Sequence, residues 1–254
     1  MFYVDQFVYT NKLRAIHPLE KLLFSVATIV ICQAANQVAV SLAIIALMVG
    51  LLLVKAKIAS GVLLKLFTIP LGFLLVGVTT IAAVISGQNE GMIQAIRIGS
   101  FYIGVSAASL TSAMKTGVIS LSTLSCLYFL ALTTPITEIV YALRLLKLPS
   151  ILVELMTLIY RFIFLFLETT LQIYTAQSSR WGYSSFRRSL HSLGVLLANV
   201  WGRAFFKTQA LYTGLLSRGY DEDLRFLSPR QQYSYKWIGF FAITDLVLLT
   251  VALI

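Results

Sequence analysis

Charge is scarce in this 254-residue sequence: Asp, Glu, Lys and Arg make up 12% of it, about half the share usual in soluble domains. That deficit, beside 58% hydrophobic residues, excludes a chain whose only solvent is water and points to a bilayer. Acid is scarcer still, 10 Asp and Glu against 20 Lys and Arg, the imbalance expected of loops held on a cytoplasmic face. A nucleic acid would also favour a basic chain. The apolar runs that interrupt this charge are too long for a small globular core, however, so no nucleic-acid partner is expected. Cysteine occurs twice, at Cys32 and Cys126, each inside an apolar run where it reads as a packing residue. His17 and His191 have no carboxylate at ligand spacing, which argues against a metal site within the chain. No Gly-x-x-x-x-Gly-Lys-[Ser/Thr] phosphate loop, Gly-x-Ser-x-Gly, His-Glu-x-x-His or intramembrane carboxylate pair is present, so neither catalysis nor a bound cofactor is expected. The start, Met1-Phe2-Tyr3-Val4-Asp5, has no basic region leading into an apolar core; no cleavable signal is expected, and the N-terminus is placed inside.

What is present is a series of apolar runs. Residues 22–35 follow Lys12, Arg14 and Lys21, break at Asn36-Gln37, and resume over 38–54 before Lys55 and Lys57, which reads as a helical hairpin with both ends inside. Residues 58–67 carry Lys65 and read as interfacial, whereas 68–86 is apolar enough to cross and emerges at an outside turn, 87–91. Pro70 suggests a bend early in that run, because proline removes a backbone donor. Residues 117–132 form the next span and 237–254 the last, with the C-terminus outside. From Arg144 to Lys236 there are twelve Lys or Arg against five acids, so that stretch belongs inside. The path of 92–116 stays open: re-entrant, external, or an even number of crossings.

Residues 151–167 are ambiguous by hydropathy. About a dozen apolar residues gain roughly 0.3 to 0.6 kcal/mol each, and Glu154 and Arg161 oppose them at up to ~3 kcal/mol apiece. Periodicity is more informative. Glu154, Thr157, Arg161, Glu168, Gln172, Thr175 and Ser179 recur at three, four or seven, one polar stripe on a long helix suited to lying along or under the membrane. A second helix is expected over 189–217, where Leu193, Leu197, Val200, Ala204, Thr208, Leu211 and Leu215 form a packing seam. Both helices end alike, in Ser179-Arg180-Trp181-Gly182-Tyr183 and Ser217-Arg218-Gly219-Tyr220. Helix capping accounts for one such end; two matched ends also suit a two-fold partner, held by the forked guanidinium groups. Asp221-Glu222-Asp223 reads as a solvated loop. Asp245, an acid inside the last span, is either functional or a buried interhelical hydrogen bond.

The chain resembles the transmembrane T component of energy-coupling factor transporters, closest to the cobalt-uptake CbiQ type. The resemblance covers most of the chain and rests on His17-Pro18 with Lys21, Thr133-Thr134-Pro135, Leu143-Arg144 with Leu148-Pro149, Tyr160-Arg161-Phe162 and the two arginine motifs. One departure is Trp181, where the family usually has glycine, with Gly182 one place later. The resemblance implies an all-α, multi-pass protein of the prokaryotic cell membrane, in three parts: transmembrane helices over 1–135, a cytoplasmic or interfacial coupling region over 136–235 with two long helices, and a final helix over 236–254. It also implies a scaffold that binds no ATP itself but grips two ABC-type ATPase subunits through Arg180, Gly182, Arg218 and Gly219. A substrate-binding membrane subunit would be met through Glu154, Arg161, Leu193 and Leu197. Two other readings stay open: a conventional ABC permease with its own substrate path, for which the insert is too long, and a multi-pass lipid-modifying enzyme, for which Asp221-Glu222-Asp223 is the best available cluster.

Overall fold

The computed structural model describes residues 8–9, 11–86, 92–98, 101–220 and 233–253. The long apolar runs form helices: α1 (Pro18–Ala35), α2 (Val38–Gly50, continued by a π turn over Leu51–Lys55), α3 (Ser60–Ala82), α4 (Ala107–Thr133), α5 (Ile136–Leu145), α6 (Ser150–Ser179), α7 (Phe186–Leu216) and α8 (Tyr235–Leu253). Six of these, α1 with α2 to Lys55, α3, α4, α6 and α8, are long and apolar enough to cross a membrane. The all-α class expected from the sequence holds, with one small addition. Three strands, β1 at Ala83–Ser86, β2 at Met92–Ile98 and β3 at Phe101–Ser106, form an antiparallel sheet in the order β1-β3-β2.

The open stretch 92–116 is therefore a two-stranded turn-back followed by the first turns of α4. It holds no extra pair of crossings, since strands of seven and six residues are far too short for a helical span. Two boundaries also change. The expected interfacial segment 58–67 and span 68–86 are one helix, α3, ending at Ala82. The span expected over 117–132 begins ten residues earlier, where Ser106 and Ser109 form a capping box at the start of α4.

Two compact units are present: residues 2–139 together with 230–254, and residues 140–229. In the first, α4 packs against α1, α2 and α3, and α1 also packs against α8. Its core contains Cys32, Val40, Ile44, Met48, Cys126, Phe129 and Leu132, all essentially inaccessible. Phe24 on α1 stacks on Phe241 of α8, centroids 4.3 Å apart, and meets Phe129 of α4 edge-on at 5.7 Å. The cysteines are free and buried, as packing residues should be. Asp245 is explained by a hydrogen bond: its Oδ1 lies 3.0 Å from Thr28 Oγ1, joining α8 to α1.

Proline and helix ends create unpaired carbonyls, and this unit meets several of them with side chains. Pro70 sits inside α3 and cannot donate to Leu66, four residues back. The Tyr128 hydroxyl of α4 donates to that Leu66 carbonyl at 2.8 Å. At the C-terminus of α4, Thr134 N–H takes the Leu130 carbonyl, Asn11 Nδ2 donates to Leu132 O at 2.9 Å, and Lys21 Nζ donates to Thr133 O at 2.9 Å. Lys21 is fully buried and also donates to Leu13 O at 3.3 Å. Its cation thus sits where the helix dipole is negative and fastens the N-terminal segment to the α4 end. Around it, Arg14 pairs with the buried Glu138 at 3.6 Å, and Glu20 Oε1 accepts from Ser234 N–H at 3.0 Å.

His17 caps α1 through Nδ1, which accepts from Leu19 N–H at 3.3 Å, and its ring stacks on Tyr233 at 4.1 Å. Burial first, and the Lys21 ammonium second, hold its imidazole below the ordinary value of 6.5. The folded chain therefore favours neutral His17, while the unfolded chain takes up the proton first as pH falls. The His17 contribution is fully present above about pH 6.5 and is lost progressively below it. Thermal unfolding in detergent should show lower stability at pH 5 than at pH 7, with His17→Gln reducing that difference. Lys21→Met leaves two buried carbonyls unpaired and should cost roughly 3 kcal/mol in the same assay.

Candidate functional site

The unit formed by residues 140–229 is built on α6 and α7, tied together at both ends. At one end Gln177 Nε2 donates to Ser192 O at 3.0 Å, Ser192 Oγ donates to Gly182 O at 2.8 Å, and Tyr183 OH donates to Gln177 Oε1 at 2.7 Å. At the other, Tyr220 OH lies 3.4 Å from Glu154 Oε2. The two helices form an antiparallel hairpin, so Arg180 and Arg218 lie at its opposite ends. The 31 residues of α7 at ~1.5 Å each separate those ends by on the order of 45 Å.

Both arginine motifs are helix caps of one design. At the end of α6, Trp181 N–H bonds to Ser178 O and Gly182 N–H to Gln177 O. At the end of α7, Gly219 N–H bonds to Leu216 O and Tyr220 N–H to Leu215 O. Each is a Schellman motif, whose second residue past the helix closes a six-residue ring and whose first adopts the left-handed conformation. That left-handed residue is Trp181, φ 62°, in one case and Gly219, φ 74°, in the other. Arg180 and Arg218 occupy the same place before it, and both are exposed. A third copy closes α5, where Lys147 N–H bonds to Arg144 O, Leu148 N–H to Leu143 O, and Lys147 has φ 61°. The Leu143-Arg144 and Leu148-Pro149 motifs are thus the cap that ends α5 and the proline that starts α6.

These caps explain the displaced glycine. The structural counterpart of Gly219 is Trp181, the position at which the sequence departs from the family's glycine. Gly182 does a different job: a Cβ there would lie 2.8 Å from Gln177 O and 2.9 Å from Ser192 Oγ. Glycine is required at 182 for close approach and is favoured at 219 by its φ.

The other candidate residues are dispersed. Glu154, half-buried, is engaged by Tyr220. Arg161 is exposed on α6, and Leu193 and Leu197 are 45% and 67% exposed on α7. Asp221-Glu222-Asp223 lies outside the described residues. Sequence reading missed the surroundings of Arg180. There an open cleft of about 530 Å³ is lined by Arg180, Trp181, Ser185, Arg187, Arg188 and His191 among others. The doublet Arg187-Arg188 was its available signal.

Membrane-length helices joined to a hairpin with matched basic ends define a multi-pass membrane protein with a structured, cation-bearing insert. A family model described as cobalt transport protein, CbiQ, matches residues 9–232. An uncharacterised protein of Methanocaldococcus jannaschii is 34% identical over 98% of this chain and 92% of its own length. The cobalt transport protein CbiQ of Salmonella typhimurium is 33% identical over 61% of this chain and 69% of its own length. A putative fused cobalt transport protein CbiMQ of Methanocorpusculum labreanum is 33% identical over 86% of this chain, which spans 36% of that longer protein. The chain belongs to the CbiQ cobalt transport protein family, and it is a membrane transport component rather than an enzyme.

The two glycines should respond differently to substitution. Gly219→Asn keeps the left-handed turn and should cost a few tenths of a kcal/mol, whereas Gly182→Ala forces backbone apart and should cost about 2 kcal/mol. Thermal unfolding of the two variants in detergent checks this order.

Proposed function

We propose that this chain is the transmembrane scaffold and coupling subunit of an energy-coupling-factor-type importer for cobalt ions. Two ABC-type ATPase subunits dock on the ends of α6 and α7, one on Arg180 with Gly182 and one on Arg218 with Gly219. Closure of the ATPase pair moves these ends, and the hairpin passes the motion to a substrate-binding membrane subunit seated on its exposed apolar faces, with Arg161, Leu193 and Leu197 among the contacts. ATP stays on the partners, the hairpin and the N-terminus lie on the cytoplasmic side, and the C-terminus lies outside. The observation that carries this reading is the matched pair of caps. Two arginines held in the same local frame at opposite ends of one rigid element suit two equivalent subunits. The fused cobalt transport relative supports a further transport component joined to such a chain, and the family description supports cobalt as cargo.

The test is co-purification from membranes. Arg180→Glu with Arg218→Glu should abolish capture of the ATPase subunits while membrane insertion stays normal. Undiminished capture contradicts the assignment of these ends.

A further inference from the structure

The chain passes between its two units twice, after Ile139 and before Arg230. Just inside the unit of the apolar helices each passage is fastened, and both fastenings belong to one short stretch, 14–21. On the outgoing side Arg14 pairs at 3.6 Å with Glu138, in the first turn of α5. On the returning side His17 stacks on Tyr233 at 4.1 Å, and Glu20 Oε1 accepts from Ser234 N–H at 3.0 Å. Ser234 opens α8, its carbonyl taking the N–H groups of Trp237 and Ile238. Lys21 donates to Leu13 O and to Thr133 O at the end of α4. The starts of α1, α5 and α8 and the end of α4 therefore meet in this stretch, with acids near positive helix ends and the ammonium at a negative one.

Helix-end electrostatics would account for a cluster with every group paired, but this one keeps spare acceptors. Glu20 Oε2 and Glu138 Oε2 are buried with no hydrogen-bond partner among the described residues, a costly state for an acceptor. The Lys21 ammonium lies within electrostatic reach of both acids, and its bonds to the two carbonyls leave it a further N–H. A second arrangement is thus open to the cluster, in which that N–H goes to one acid and the clasp readjusts without breaking. Polar networks with two discrete arrangements are what carry energetic coupling between distant sites.

We propose that 14–21 is a clip for both connections to the hairpin unit, with Arg14, His17, Glu20 and Lys21 as positioning residues for coupling. A displacement arriving along either connection is delivered through the clip to the ends of α1 and α4, where a slack linker would absorb it. This rests on the coupling role proposed above.

The experiment uses the full-length chain assembled with its ATPase and substrate-binding subunits in proteoliposomes, reading ATP hydrolysis and cobalt uptake from one sample, beside thermal unfolding of the chain in detergent. Glu20→Leu removes the acceptor for Ser234, and Arg14→Ala opens the outgoing side. Each should keep hydrolysis within twofold of wild type while the cobalt taken up per ATP falls at least tenfold. Glu20→Gln, whose amide oxygen still accepts from Ser234 N–H, should keep uptake per ATP within threefold of wild type. Wild-type uptake per ATP in both Glu20→Leu and Arg14→Ala overturns the clip, and so does a Glu20→Gln defect equal to that of Glu20→Leu. A merely structural role predicts uptake, hydrolysis and assembled complex falling in parallel with thermal stability, which also overturns it. Should Glu20→Leu fail to assemble, Arg14→Ala decides, since that side chain is 44% exposed. If the wild-type assembly hydrolyses ATP without driving uptake, the coupling reading itself falls and the clip with it; if the wild type couples and the variants couple equally well, only the clip does.

Discussion

A helix in apolar surroundings cannot leave a carbonyl without a donor, and much of this structure follows from that constraint. In the unit of the apolar helices several donors are side chains distant in sequence, beside local ones such as the left-handed cap of α1 at Asn36. Tyr128 serves the carbonyl that Pro70 frees, and Asn11 and Lys21 serve the last carbonyls of α4. A buried ammonium is costly alone, yet between two carbonyls and at the negative end of a helix it becomes a clasp. The N-terminal segment, α1 and the α4 end are joined through it. In the unit of the hairpin the donors come from the chain itself, through three left-handed caps at Lys147, Trp181 and Gly219.

Long-range clasps lock helices that must keep their places in a bilayer. Self-contained caps need nothing from elsewhere in the chain, so the ends of α6 and α7 can present their arginines to another protein without giving up their own hydrogen bonds. The hairpin between them is tied at both extremities, through Gln177 with Ser192 and through Tyr220 with Glu154. An element closed in this way can carry a displacement along its length instead of fraying at one end. The exposed apolar side chains of α7, Leu193, Leu197 and Trp201 among them, are then available for membrane or partner.

Helix positions were legible in the sequence because apolar runs of this length have few alternatives, and the polar stripe of α6 together with the seam of α7 marked both hairpin helices. The three short strands β1 to β3 were not, since short segments rich in Gly, Ser and Ala carry no decisive period. The motif residues were legible as motifs and opaque as physics. Lys21 and Thr133 stand over a hundred residues apart, and only the fold shows one bonding the other. Trp181 looked like a defect in a glycine motif. The reason for the shift, Gly182 lying under Ser192, depends on how α7 packs back on α6, which no local pattern encodes.

Coupling is a statement about motion, and its most direct measure is the distance between the hairpin ends. Ser184 and Ser217, both exposed, can carry spin labels on introduced cysteines, since Cys32 and Cys126 are buried. In the assembled complex, electron–electron dipolar spectroscopy should give different distance distributions with the ATPase pair nucleotide-free and ATP-bound. One unchanged distribution in both states, in a complex that still hydrolyses ATP and transports, contradicts a coupling role for these two ends.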